Sequence, residues 1–529
     1  MSALTGTGVL LRFALRRNRW WWPAWVGGLA SYTVLLGASV VGMYPDEADR
    51  IGGARTIDNP GSTFLIGPRY GPDNYPSAII VGHQTLLFVS IVMAVFAMLT
   101  MARHTRAEED AGRAELVLSA RVGRAAPLVT ALLVTLSGVV VASLVVAVAF
   151  LGLGHGIDRA GALVYGLGVA GVGFTFAGGA AVAAQVASST RGMNTLVGLG
   201  LATTFVLRGV GDVKQNWLGA LTTFGWAQRG HPWEDNAWAW PALGVIVGLV
   251  LAVLGVALAG RRDLGAGLLP GRAGRSNATA ALVSPVGLAA RLALPTTMIW
   301  TISLALFGLA YGPVLSEADR FLEQMPQLED VVPGATQAGG VRLFASIIVG
   351  MVGLLSAVPG ALVISRLVAD ERAGRSAILH TATGRLRWFG ANLLVALASA
   401  AVPLVAFGLC FGLSAAKSRE DSSLIGDLVG ASLGYLPAIA AVITVIALLA
   451  GWAPRVVNLG WVMLVHAFVV FYFADLLDWP RWVSWPSVYD HVAARPALEG
   501  DTSAQAVITG LVVVGVIVAA VGYRRRALA

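Results

Sequence analysis

Charge is what this sequence has least of. Of its 529 residues only 12% are Asp, Glu, Lys or Arg, whereas 56% are hydrophobic. A soluble domain of this length carries roughly twice that charge, so a water-soluble fold is excluded and a membrane is the environment that remains. Cysteine is nearly absent: Cys410 stands alone, so neither an internal disulfide framework nor a cysteine metal site is available. Lysine occurs only as Lys214 after Val213 and Lys417 after Ala416. A phosphate-binding P-loop needs Gly-Lys followed by Ser or Thr, so any ATPase would have to be another polypeptide. None of the seven histidines is paired at metal-ligand spacing and no His-Glu-x-x-His helix occurs, so no metal site and no metalloprotease is expected. Glu108, Glu109 and Asp110 are adjacent, but consecutive residues splay around a helix and make no acid/base pair. No catalytic residue is expected.

What is abundant is apolar sequence in long runs. A helix needs about 20 apolar residues to cross the hydrocarbon core. Such runs lie near 23–43, 79–102, 126–152, 160–187, 194–210, 241–260, 293–313, 343–365, 390–415, 428–452, 459–477 and 505–523. The runs are continuous rather than alternating, which predicts helices and not a barrel. The expectation is an all-α polytopic protein of about twelve transmembrane helices, with 194–210 and 459–477 the shortest and most polar. The first run is too long for a cleavable signal and follows a basic segment with Arg12, Arg16, Arg17 and Arg19. The 64 glycines suit close helix packing. Gly152 with Gly156 and Gly408 with Gly412 have small-xxx-small spacing, which so Gly-rich a chain also produces by chance.

Charge sets the expected orientation. With the N-terminus inside, the cytoplasmic segments hold 24 Arg against 7 acidic residues, and the remaining segments hold 11 Arg and 2 Lys against 22. Positive residues accumulate on cytoplasmic loops, so both termini are expected in the cytoplasm. The arginines are spread over many short loops, which does not suit nucleic-acid binding.

The chain also repeats. Glu108-Glu109-Asp110-Ala111-Gly112-Arg113 is echoed, 262 residues on, by Asp370-Glu371-Arg372-Ala373-Gly374-Arg375, and each segment follows the second span of its half. Gly123-Arg124 and Gly384-Arg385 follow, and Arg191 with Asn194 is echoed by Arg455 with Asn458. Polar loops at 44–78 and 314–342 correspond, as do Trp-rich loops at 211–240 and 478–504, where tryptophan suits a membrane-interface belt or a re-entrant element. Six spans per half imply two six-helix repeats of the same orientation: residues 1–260, a flexible cytoplasmic linker 261–291 with a surface helix near Arg291, and residues 292–529.

Thr105-Arg106-Ala107-Glu108 fits a capping box, and Glu109–Arg113 and Glu371–Arg375 fit i,i+4 ion pairs. The expectation is a short amphipathic helix presented twice on the cytoplasmic surface. The plainer reading is a stretch of solvated juxtamembrane charge, which its recurrence in both halves weakens. The second copy has Leu367 where Thr105 would match, and His380 where the first has Leu118.

The run Arg106-Ala107-Glu108-Glu109-Asp110-Ala111-Gly112-Arg113-Ala114-Glu115-Leu116, closing on Ala120-Arg121-Val122-Gly123-Arg124, resembles the first cytoplasmic loop of antibiotic-exporter permeases of ATP-binding-cassette (ABC) transporters, such as the tetronasin and polyketide exporters of actinobacteria. The copy at 369–385 departs from that pattern at Ser376, Ala377 and His380. The resemblance implies a plasma-membrane permease subunit of a multidrug exporter, with Arg106, Glu108, Glu109, Asp110, Gly112, Arg113, Asp370, Glu371, Gly374 and Arg375 coupling to two copies of a separate ATP-binding subunit. No cofactor is implied in this chain, and ATP and Mg belong to those partners. It also implies that the second and fifth spans of each half line a path for a small amphipathic substrate, with Phe88, Phe96, Asn194, Phe205, Trp461, His466, Phe468 and Tyr472 as candidates; taken singly, each of these reads as readily as helix packing or lipid contact. Few ionisable groups sit within the spans, namely His466, Arg208 and Asp475. That weighs against the alternative of an ion-coupled secondary transporter. A scaffold or sensor without transport is the third possibility.

Overall fold

The computed structural model describes all residues except 1, 59, 264, 269–276, 318–339, 475–478, 494, 498–501 and 527–529. Every regular element among them is helical. Twelve helices are long and apolar enough to cross a membrane: Trp21–Met43, Ser77–Asp110, Ala126–Leu151, Arg159–Val186, Thr190–Val213, Ala239–Ala259, Pro285–Leu315, Gly340–Arg372, Arg385–Arg419, Ser423–Trp452, Pro454–Phe471 and Ser503–Arg525. The molecule is a multi-pass membrane protein. Backbone hydrogen bonds closed within each helix are what allow such segments to stand in hydrocarbon. Side chains mark several starts: Asp158 accepts from Gly161 N at 2.8 Å, Ser189 from Gly192 N at 3.1 Å and Ser284 from Gly287 N at 3.0 Å. The tenth span is two helices, Ser423–Leu433 and Leu436–Trp452, with a proline at the start of the second.

The chain divides into two compact units, Met1–Gly274 and Arg275–Ala529, each holding six of the spans. In the first, the fourth and sixth spans meet along a seam without side chains. A Cβ on Gly178 would lie 2.3 Å from Gly248 O, and one on Gly248 would lie 2.3 Å from the Phe174 carbonyl carbon. Gly171, Gly244 and Gly255 extend this seam, so the backbones approach as only glycine permits. In the second unit the tenth and twelfth spans close similarly at Gly451 and Gly522, and Trp452 donates to Val518 O at 3.0 Å. Gly408 and Gly412 pack against Ser432 and Ile425 as their spacing suggested. Gly152 and Gly156 do not: Gly152 ends the third span and Gly156 turns beyond it.

The loop 44–78 is not merely polar connection. It forms helices Glu47–Ile57 and Pro60–Ile66. Arg208, fully buried on the fifth span, donates to the carbonyls of Thr63, Phe64 and Leu65 and pairs with Asp212 at 3.4 Å. It thereby satisfies the open C-terminal carbonyls of the short helix. In the first Trp-rich loop, Trp233 packs on Phe150 and Tyr165, and Trp226 donates to Ala220 O at 2.6 Å. Trp217, Trp238, Trp240, Trp482 and Trp485 are exposed, as an interface belt requires. Arg291 lies within the helix Pro285–Tyr311, not on a separate surface helix. Loop 314–342 and Asp475 fall mostly or wholly outside the described residues.

Candidate functional site

The second span runs from Ser77 to His104, and at Thr105 (φ −124°, ψ −96°) the backbone leaves helical geometry. A short helix Arg106–Asp110 follows, then Gly112 at φ 69°, then helix Arg113–Leu118. A left-handed residue between two helices makes an elbow, and glycine adopts that conformation without steric cost. The elbow is fastened from several sides. Glu109 accepts from Arg262, at 3.0 Å from Nη1, and pairs with Arg106 at 2.9 Å. Arg106 is fully buried and also donates to Ala184 O at 2.6 Å and Ala266 O at 2.9 Å. Asp110 Oδ2 accepts from Thr190 N, at the start of the fifth span, at 2.8 Å. Glu108 bridges Arg17 at 2.5 Å and Arg113 at 2.7 Å, and that hydrogen bond raises the Arg113 guanidinium above its ordinary value. Ala111, Gly112, Arg113 and Leu116 remain exposed.

The second unit builds the same elbow with different chemistry. The eighth span continues to Arg372, Gly374 adopts φ 71° and a helix Ala377–Thr383 follows. Arg375 donates to Asp370, at 2.6 Å from Nη2, as Arg113 does to Glu108. Glu371 is buried and accepts from Arg526 and Tyr523, as Glu109 accepts from Arg262. Arg372 donates to the carbonyl of Pro454 at the start of the eleventh span. In each unit, therefore, the elbow is tied to the arginine that follows the sixth span and to the beginning of the fifth.

Two sequence expectations are corrected here. Thr105 forms no capping box, because its hydroxyl donates back to Met101 O at 2.6 Å. Glu109–Arg113 and Glu371–Arg375 are not ion pairs. The left-handed glycine lies between their members and rotates each arginine onto the acid five residues back. Arg262, Arg526 and Tyr523 were missed as site residues. The only signal was that basic residues follow the sixth span of both halves, which topology alone had explained.

The path candidates are dispersed. Phe88 and Phe468 are 38% and 44% exposed, whereas Phe96 is 1% exposed and packed on Trp25. Phe205 packs edge-on to Phe64 and beneath Arg208. Asn194 keeps a buried Oδ1 without a hydrogen bond. Trp461 donates to Ser365 at 3.1 Å, and His466 Nε2 lies 3.0 Å from Val483 O. The side chains of Tyr472 and His380 are outside the described set. His231, Glu234 and Asp235, spaced i, i+3, i+4, bring three ligand-type atoms within 4.8 Å, with Tyr70 stacked on the imidazole. This grouping was not expected from the sequence.

The chain is similar to a known family and to a known protein. Residues 282–524 match the family model described as "Multidrug efflux system permease Rv1217c, C-terminal domain". The chain is 33% identical over 489 residues to the multidrug efflux system permease protein Rv1217c of Mycobacterium tuberculosis (strain ATCC 25618 / H37Rv), covering 91% of this chain and 87% of that protein.

Proposed function

This chain belongs to the multidrug efflux system permease family, and from that premise we propose that it is the membrane subunit of an ATP-binding-cassette exporter. It moves amphipathic compounds outward across the plasma membrane, with both termini in the cytoplasm, as two six-helix repeats of the same orientation. ATP is hydrolysed, with Mg, on two copies of a separate ATP-binding subunit, and this chain is a transport subunit rather than an enzyme. The observation that carries the proposal is the matched pair of elbows. Each follows the second span of its unit, exposes an Ala-Gly-Arg tip, and is anchored by a glutamate, half-buried in the first unit and buried in the second, to the end of the sixth span. A push on such a tip reaches three spans at once, which is the mechanical requirement for converting closure of a partner into motion of the membrane helices.

The test is co-purification. The tagged chain is expressed with the genes flanking its own, and an ATP-hydrolysing subunit is sought at two copies per chain. Reversing the exposed charges with Arg113→Glu and Arg375→Glu should release it, whereas reversals at the anchoring Glu109 and Glu371 would damage the fold instead. A chain that purifies alone and transports on a proton gradient without ATP overturns the proposal in favour of a secondary transporter.

A further inference from the structure

The first unit contains a cleft between the helix Thr7–Arg17, the elbow and the first turns of the third span, about 1080 Å³ including its open mouth. Its lining combines two chemistries. Arg17, Arg113, Arg124 and Arg262 line it together with two carboxylates, Glu108 and Glu109. Both carboxylates are already bound by arginine, so the lining keeps an excess of positive charge. Arg124 pairs with no carboxylate among the described residues and donates only to the carbonyl of Arg262. Leu10 and Phe13 of the first helix and the buried Leu128 and Ala131 of the third span supply apolar lining. Thr130 lines the cleft beside them. It is 5% exposed, yet its hydroxyl has no hydrogen-bond partner. Thr135, further along the same helix, donates to Ala131 O at 2.8 Å as a helical threonine ordinarily does. That hydroxyl is therefore available to a polar group of a ligand at this depth.

We infer that this cleft is a binding site for an anionic phospholipid of the surrounding membrane, with its phosphate among Arg17 and Arg124, its glycerol-ester region at Thr130, and an acyl chain over Leu128 and Ala131. Basic pockets at the mouths of transmembrane helices select anionic headgroups, because positive charge beside apolar lining matches the two ends of such a lipid. The helix Thr7–Arg17 places Arg12, Arg16 and Arg17 beside the exposed Val9 and Phe13 and has no acidic residue in its first turn, so it lies in the same headgroup layer. The site does not depend on the ATP-driven reading, and a free anion would engage the arginines without the apolar lining.

The test uses the purified full chain and native mass spectrometry, with phosphatidylglycerol and phosphatidylcholine at equal mole fraction. Preferential retention of phosphatidylglycerol is expected. Arg17→Gln with Arg124→Gln should lower it by about fivefold for each arginine removed. Thr130→Val should lower retention of both lipids. Glycerol 3-phosphate alone should not compete at concentrations where the lipid is retained. Equal retention of the two lipids, competition by glycerol 3-phosphate, or an undiminished preference in the double variant would each overturn the assignment. If the double variant does not fold, the single Arg124→Gln is measured in its place and an undiminished preference there is equally fatal, because that residue makes no ion pair among the described residues.

Discussion

The glutamate that anchors the first elbow gives the sharpest test of this architecture. Glu109 and Arg262 have side chains 10% exposed, and Arg106 behind them is not exposed at all. Glu109→Gln removes the only carboxylate paired with either arginine among the described residues and leaves two guanidinium groups, one buried and one half-buried, close together. Breaking a buried pair by removing one partner costs about 3–5 kcal/mol. The lower end applies, because Arg106 keeps two carbonyl acceptors and Arg262 keeps Gln185 at 2.6 Å. For a unit of this size, ~3 kcal/mol corresponds to roughly 6–12 °C in apparent melting temperature. The control is Glu108→Gln, one residue earlier. Its partners Arg17 and Arg113 are 33% and 51% exposed, so the loss should be ~0.2–1 kcal/mol. Scanning fluorimetry on detergent-purified protein separates these outcomes. Adding Arg262→Met to Glu109→Gln should recover part of the loss, because the uncompensated charge goes with it. Equal melting temperatures for Glu108→Gln and Glu109→Gln would refute the claim that Glu109 is a structural anchor.

Three further expectations follow from other parts of the molecule. Gly112→Trp together with Gly374→Trp finds open space at both positions but forces a side chain into left-handed geometry at ~1–2 kcal/mol each; ATP-dependent drug export from vesicles should fall at least about tenfold while membrane insertion, read by fractionation, stays normal. Gly248→Val drives side-chain atoms into the backbone at Phe174 and Thr175, so it should abolish monodisperse protein in size-exclusion chromatography, whereas Gly260→Val, past the end of the same span, should not. In a Cys410→Ser background, Leu4→Cys should react with an impermeant maleimide only after cells are opened and Trp217→Cys before; the reverse pattern would invert the proposed topology.

The spans were legible because their cause is compositional: the same scarcity of charge that excludes a soluble fold defines where each helix can stand. Even the polar run near 194–210 appears as a helix, Thr190–Val213, with Ser189 supplying its cap. The elbow's contacts were not legible, for a local reason. The i,i+4 rule assumes one continuous helix, and Gly112 and Gly374 each interrupt it between the acid and the arginine it was assigned. The partners that replaced them, Arg262 and Arg526, lie 153 and 155 residues away in sequence. No periodicity reaches that far. Arg208 shows a second limit. An arginine within a span suggests function, but here it satisfies the carbonyls of a short helix that hydropathy could not reveal.

The two elbows also constrain how a common partner would read them. At the position before Ala-Gly-Arg the first carries Asp110, turned to Thr190 N, and the second carries Arg372, turned to Pro454 O. These opposite charges serve the same internal link to the fifth span of each unit, so neither is an outward signal common to both units. The anchoring glutamates are likewise turned inward. What the two surfaces share is Ala111-Gly112-Arg113 and Ala373-Gly374-Arg375, with each arginine held by the acid five residues before it. If one kind of ATP-binding subunit serves both sides, as proposed, its groove must recognise that small tip and its single arginine. Exchanging Asp110 for the arginine of the second elbow would then alter the folding of the first unit before it altered docking. The repeat is kept in geometry and in the arginine it presents, and is free to vary in the contacts that hold that geometry in place.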